Sequence, residues 1–187
     1  MRVVDKLSHQ HKQNTSHLLQ KLHQQHLSTY TASNTTSAKL HLLLSLRQLH
    51  TTHLIPHSTS LLSDELRQAL QEMEIQLVHP TTTPYLLPNS TVGLAQADAA
   101  IAETGTLVFQ LSSQKVWRAL LVPSTLIILV HAQNIFPAWD EWVHQEAQLP
   151  AFYLTGRTTT YALSRTPLPA HGPQDIHVIL IAEEPIT

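Results

Sequence analysis

Two short apolar runs, residues 126–130 (Leu-Ile-Ile-Leu-Val) and 176–181 (Ile-His-Val-Ile-Leu-Ile), constrain the fold more than any other feature of the chain. Side chains of a strand alternate between faces, so a run that is apolar at nearly every position needs cover on both sides. Neither run is long enough for a buried helix. Strands of this kind are buried on both faces, as in a sheet covered by helices. The expected class is therefore α/β, one domain with a central sheet covered by helices. At 187 residues the chain fits a single domain and is long enough to bury a full hydrophobic core.

The helices that would cover the sheet can be read from apolar spacing. Leu18, Leu19 and Leu22 place one apolar stripe in the polar, His- and Gln-rich opening segment. Leu42, Leu43, Leu46 and Leu49 repeat at helical spacing, with Ser33 and Asn34 available as caps. Ser63 followed by Asp64 and Glu65 is an N-cap with an acidic first turn, and Leu62, Leu66, Ala69, Leu70 and Met73 form the buried face of that helix. A further helix is expected to open at Pro137, with Trp139, Trp142 and Val143 on its apolar side and Pro150 at its end. Extended stretches are expected at residues 53–56, 75–78, 99–102 and 107–111, and a Thr/Pro surface loop at 81–88. The expected organisation is a flexible N-terminus over residues 1–16 and one folded domain over 17–187.

Composition removes several functional classes. There is no cysteine, so disulfides, Cys-based zinc sites, thiolate-held iron–sulfur clusters and a cysteine nucleophile are all excluded from this chain. A formal charge of -2 without a basic stripe supplies no electrostatic reason to bind nucleic acid or an anionic membrane. The opening segment lacks the apolar core of a signal peptide, and the longest apolar run is broken at Pro123, well short of the ~20 residues of a membrane span. A cytoplasmic location is expected. His23/His26 and His50/His53/His57 have spacings that suit a metal on a helical face, but no carboxylate pattern accompanies them, and no metal site is assigned.

Glycine marks where function is expected. The average of ~7% would place about a dozen in a chain of this length. There are four: Gly93, Gly105, Gly156 and Gly172, all in the second half. Gly105 lies in Glu103-Thr104-Gly105-Thr106, preceded by the small residues of 97–102. A carboxylate beside two hydroxyls and a glycine suits a small polar ligand, or allows Glu103 to serve as nucleophile or base. The alternative is a hairpin turn whose threonines bond their own backbone. His171-Gly172-Pro173 opens the last strand; His171 is either an acid/base near neutral pH or a backbone-bonded turn residue. No two glycines lie within ten residues of each other, so a phosphate-cradling glycine loop is absent and a nicotinamide-dependent dehydrogenase is disfavoured. There is likewise no Gly-x-Ser-x-Gly elbow.

These same residues resemble the LUD-domain family, whose members include lactate-utilisation protein C. The resemblance is carried by ADAAIAETGTLV at 97–108, RALLVP at 118–123, and His171-Gly172-Pro173 with the strand to Ile181, and it covers about residues 91–182. It implies an α/β fold like that of the NagB/RpiA/CoA-transferase group, a single domain with a mostly parallel central sheet flanked by helices. It also implies an accessory role in oxidising L-lactate to pyruvate beside iron–sulfur partner proteins, with no cofactor held by this chain itself. The ligand would be a small organic acid in a pocket formed by Thr104, Gly105, Thr106, Arg157 and Gly172, with Glu103 and His171 as the candidate catalytic groups; a homodimer is compatible with this. Where the family carries Gly-Pro-Ser-Arg-Thr-Ala-Asp, this chain has Gly156-Arg157-Thr158-Thr159-Thr160-Tyr161-Ala162. The usual arginine and aspartate are replaced by Thr159 and Ala162, and Arg157 and Arg165 are the nearby guanidinium groups. Two other readings therefore stand beside the first: a stand-alone enzyme on a small acid or its CoA thioester using Glu103, and a diverged ligand-binding protein without catalysis.

Overall fold

The computed structural model of the chain describes residues 2–78, 88–110, 118–146, 151–156, 160–161, 167–168 and 172–182. In chain order its elements are α1 (Arg2–Gln24), β1 (Ser28–Ala32), α2 (Thr35–Gln48), β2 (His53–Pro56), α3 (Asp64–Glu72), β3 (Gln76–Leu77), β4 (Thr91–Gln96), β5 (Ala99–Ile101) and β6 (Thr106–Gln110). They continue with α4 (Arg118–Leu121), β7 (Thr125–His131), β8 (Ile135–Phe136), α5 (Trp139–Glu146), β9 (Ala151–Thr155), β10 (Thr160–Tyr161), β11 (Pro167–Leu168) and β12 (Asp175–Ile181). The main sheet has six strands in the order β1-β12-β7-β4-β2-β3. Every pairing in it is parallel. A second sheet, β8-β5-β6-β9, is mixed, and β10 and β11 form a separate antiparallel pair.

The two apolar runs become β7 and β12, adjacent at the centre of the main sheet. Alternate residues enter different cores, as strand geometry demands. Leu126, Ile128 and Val130 of β7, with Ile176, Val178 and Leu180 of β12, join Leu18 and Leu22 of α1, Leu120 of α4 and Phe109 of β6. The intervening Ile127, Ile179 and Ile181 pack on the other face against Leu42 and Leu46 of α2 and Leu66 and Leu70 of α3. Both faces are therefore covered by helices, which explains why these strands show no polar alternation. Beyond the second sheet, Trp142 of α5 packs on Ala99, Ile101 and Val108.

Local chemistry sets the helix starts. Asn34 caps α2 by accepting from the Ser37 amide at 2.8 Å, while Ser37 Oγ accepts from the Asn34 amide at 3.3 Å, a reciprocal capping box. Ser63 caps α3 through the Leu66 amide. Three sequence expectations need correction. The helix expected at Pro137 begins at Trp139, because the Pro137 carbonyl accepts the Glu103 amide at 3.0 Å instead of starting the helix. Val143 is exposed, so the apolar side of α5 narrows to its tryptophans. The strand expected at 75–78 shortens to Gln76–Leu77, an edge with two register pairs to β2. The Thr/Pro loop expected at 81–88 lies almost wholly outside the described residues, as does Pro150.

Close approach of backbones holds α4 on the sheet. Gly93 sits on central strand β4, and a Cβ added there would fall within contact distance of the Ala119 carbonyl oxygen. The missing side chain is what allows α4 to lie directly on β4 and deliver the chain through Pro123 into β7.

Candidate functional site

Residues 102–105 connect β5 to β6 in a hairpin, and Thr106 opens β6 opposite Ile101. The Gly105 amide donates to the Ile101 carbonyl at 2.9 Å, and Gly105 has φ +67°, a conformation that costs a residue with Cβ roughly 1–2 kcal/mol. On its other side the turn is tied to the C-terminal end of α1. Gln25 Nε2 donates to the Thr104 carbonyl at 2.8 Å, and Gln25 also faces Gly105 and Gly156. Gln25 Oε1 is buried there without a hydrogen-bond partner among the described residues. Glycines 105 and 156, distant in sequence, thus converge on one glutamine.

The threonines make a line of hydroxyls. Thr104 Oγ1 and Thr106 Oγ1 are 2.8 Å apart, and Thr106 Oγ1 and Thr155 Oγ1 are 2.7 Å apart. Thr106 is 2% exposed, whereas Thr155, at the end of β9, is exposed. The line therefore runs from half-buried Thr104 through buried Thr106 to exposed Thr155. Each hydroxyl carries one donor and two acceptor lone pairs, so a chain of three can reorient to give or take a hydrogen bond at its exposed end.

That exposed end opens into a cleft of 380 Å³ between β9 and the start of the last strand segment. Phe152, Tyr153, Leu154 and Thr155 form one wall, and Leu121, Gly172 and Pro173 the other. β9 is an edge strand of the second sheet, paired with β6 on one side in antiparallel register that places Thr106 opposite Thr155. That register is what brings the hydroxyls together. Behind the cleft, Tyr153 packs with Trp139 and Trp142 at centroid separations of 5.3 and 5.8 Å. Trp142 is 2% exposed, so this tryptophan pair serves mainly as core and as backing for the cleft wall.

The residues expected to form the site are thus partly assembled. Thr104, Gly105 and Thr106 are joined to one another, and through Thr155 to the cleft that Gly172 lines. Glu103 stands at the same turn with its backbone on Pro137, and its side chain is exposed. Arg157 and His171 lie outside the described residues. Thr155 and Gln25 escaped the sequence reading, because they reach the turn from positions 49 and 79 residues away from their bonding partners. Among the described residues no cluster of three His, Asp or Glu is placed to hold a metal ion. His23 is instead 2.6 Å from Thr29 Oγ1, and His53 2.8 Å from Thr52 Oγ1. Among the described residues no helix is long and apolar enough to cross a membrane.

Comparison with known proteins bears on the same region. The fold is similar to the crystal structure, at 1.70 Å resolution, of a DUF162 family protein from Deinococcus radiodurans. The TM-score is 0.65 at 16% sequence identity, with 91% of this chain and 98% of that chain covered. A comparison with curated proteins found no match. The LUD domain matches residues 86–181, a little over half of the chain, spanning the main-sheet strands β4, β7 and β12, the hairpin turn and both walls of the cleft. On the strength of that match the chain belongs to the LUD domain family.

Proposed function

We propose that this protein is the cluster-free subunit of a lactate-utilisation system and that it holds a small organic acid in the cleft beside β9. The LUD domain is associated with lactate-utilisation proteins, and the absence of cysteine means that thiolate-held clusters accepting the electrons must sit on partner chains. The observation that carries the ligand assignment is the hydroxyl line from Thr104 through Thr106 to Thr155, ending at a cleft lined by Gly172. A 2-hydroxy acid presents a carboxylate acceptor and a hydroxyl to such a surface. In this reading Arg157 pairs with the carboxylate. His171 takes or returns the hydroxyl proton, and Glu103 assists from the neighbouring turn. Oxidation to the keto acid breaks the O–H and C2–H bonds: His171 takes the hydroxyl proton, Glu103 the C2 proton, and the two electrons pass one at a time to the partner clusters.

The test is thermal unfolding of the purified chain with lactate, pyruvate, related acids and CoA esters. A ligand at about 100 times its Kd stabilises the folded state by ~2.7 kcal/mol, which for a domain of this size raises Tm by roughly 5–10 °C. Lactate or pyruvate should produce that shift, and Glu103→Gln and His171→Ala should lose it while keeping the unliganded Tm. A shift confined to CoA esters would favour the stand-alone enzyme. If no acid shifts Tm and no cluster-bearing protein co-purifies, the reading is wrong.

A further inference from the structure

Away from the cleft, on the opposite face of the main sheet, α2 and α3 enclose an open groove of 620 Å³. Its apolar lining includes Leu40, Leu43, Leu44 and Met73. Leu40 is 58% exposed and Leu44 47% exposed, one helical turn apart on α2. They are two of only six large apolar side chains left exposed among the described residues, and Leu40 is the most exposed of the six. Neither is used by the core, which takes Leu42 and Leu46 from the same helix. Isolated exposed leucines need no explanation, but two on one turn beside an apolar groove form a contiguous patch.

The charges of the groove say what covers it. Arg47 on the α2 side and Glu72 on the α3 side both line it. They do not pair with each other: among the described residues the ion pair is Lys39–Glu65, and Glu72 instead accepts from Gln68 Nε2 at 3.0 Å. Glu72 is also the last residue of α3, where the unpaired helix carbonyls favour a cation. One wall therefore offers a cation and the other a site for one, within a single chain. A two-fold axis running along the groove places α2 of one copy against α3 of the other. Arg47 then meets Glu72 and the α3 terminus of the second copy twice over, while the leucine ridges are removed from water. Such a patch is self-complementary in the sense an isologous interface requires.

We propose that the α2–α3 groove is the homodimer interface of this protein, occupied by a second copy of the chain. The proposal does not depend on the ligand assigned to the cleft. Sedimentation equilibrium of the full chain over a wide concentration range tests it, on the wild type and three variants. Wild type should dimerise, and Leu40→Ser/Leu44→Ser, which alters only exposed positions, should raise the dissociation constant at least about tenfold. Arg47→Glu puts two like-charged pairs across the axis, as does Glu72→Arg, and each should be largely monomeric alone, weakened about a hundredfold or more. An equimolar mixture of those two variants restores both attractive pairs and should form a heterodimer. A monomeric wild type, a dimer indifferent to the leucine changes, or a charge-reversed mixture that stays monomeric would each overturn the proposal. Since the mixture uses the same two folded proteins, misfolding of either is recognised by its failure to match the wild-type circular dichroism.

Discussion

Replacing Gly93 by alanine isolates the packing of α4 on the main sheet. The new Cβ would stand 3.0 Å from Leu126 Cδ1 and 3.2 Å from Pro123 Cγ, and closer still to the Ala119 carbonyl oxygen. The two side-chain contacts can relax by a few tenths of an ångström, but the third partner is backbone. Ala119 and Leu120 are 0% and 1% exposed, so α4 cannot lift without opening the core. Overpacking of this kind costs roughly 1–3 kcal/mol, and the backbone partner places this case near the upper end. Against it stands the entropy that alanine removes from the unfolded chain, about 0.4–1 kcal/mol in favour of the variant, because Gly93 has an ordinary strand conformation that alanine can adopt. The net expectation is a destabilisation of about 2 kcal/mol, or a fall in Tm of roughly 4–8 °C. Urea unfolding followed by circular dichroism measures it, with the midpoint falling at unchanged slope. The two terms have opposite signs, which makes the outcome decisive: a variant as stable as wild type, or more stable, would show that the glycine is not there for close approach.

Two further outcomes follow from the hydrogen bonds. Thr106→Val keeps the buried volume but removes the central hydroxyl of the line, so stability should fall by about 1–3 kcal/mol, and any acid-induced Tm shift should shrink; an unchanged shift would separate the line from the cleft. Lys39 Nζ, 2.7 Å from Glu65, holds the Glu65 carboxyl below its ordinary 4.5 through that hydrogen bond first and its charge second. A depressed folded-state pKa contributes stability above the ordinary value and loses it as pH falls through the folded one. Glu65→Gln should therefore differ slightly from wild type near neutral pH, less at high salt, and not at all in strong acid; a gap that widened on acidification would contradict the pairing.

Much of the fold was legible because its signals are local. β7 and β12 declare themselves by apolar content at almost every position, and α2 and α3 by leucine spacing and by Asn34 and Ser63 at their starts. Local signals fade at edges. β1, Ser-Thr-Tyr-Thr-Ala, was missed because a sheet edge lets polar residues stand where a central strand could not, although the β-branched threonines and the tyrosine carry its propensity. β4 was hidden by its own glycine, whose purpose appears only when Ala119 is seen against it.

The candidate site divides along the same line. Its turn was readable, since Glu103-Thr104-Gly105-Thr106 combines a hairpin signal with a positive-φ position that glycine alone adopts without cost. The cleft was not, because its walls come from β9, α4 and the segment before β12, and no periodicity links residues 121, 155 and 172. Thr155 bonds Thr106 through the antiparallel register of β6 and β9, and Gln25 reaches Thr104 from the end of α1. Sequence alone determined the burial of β7, β12 and the leucine faces of α2 and α3, and the turn at Gly105, because those signals lie in neighbouring residues. Which turns share a surface, and which leucines of α2 stay in water, only the tertiary structure decided, because those depend on how strands distant in sequence are ordered in the sheet.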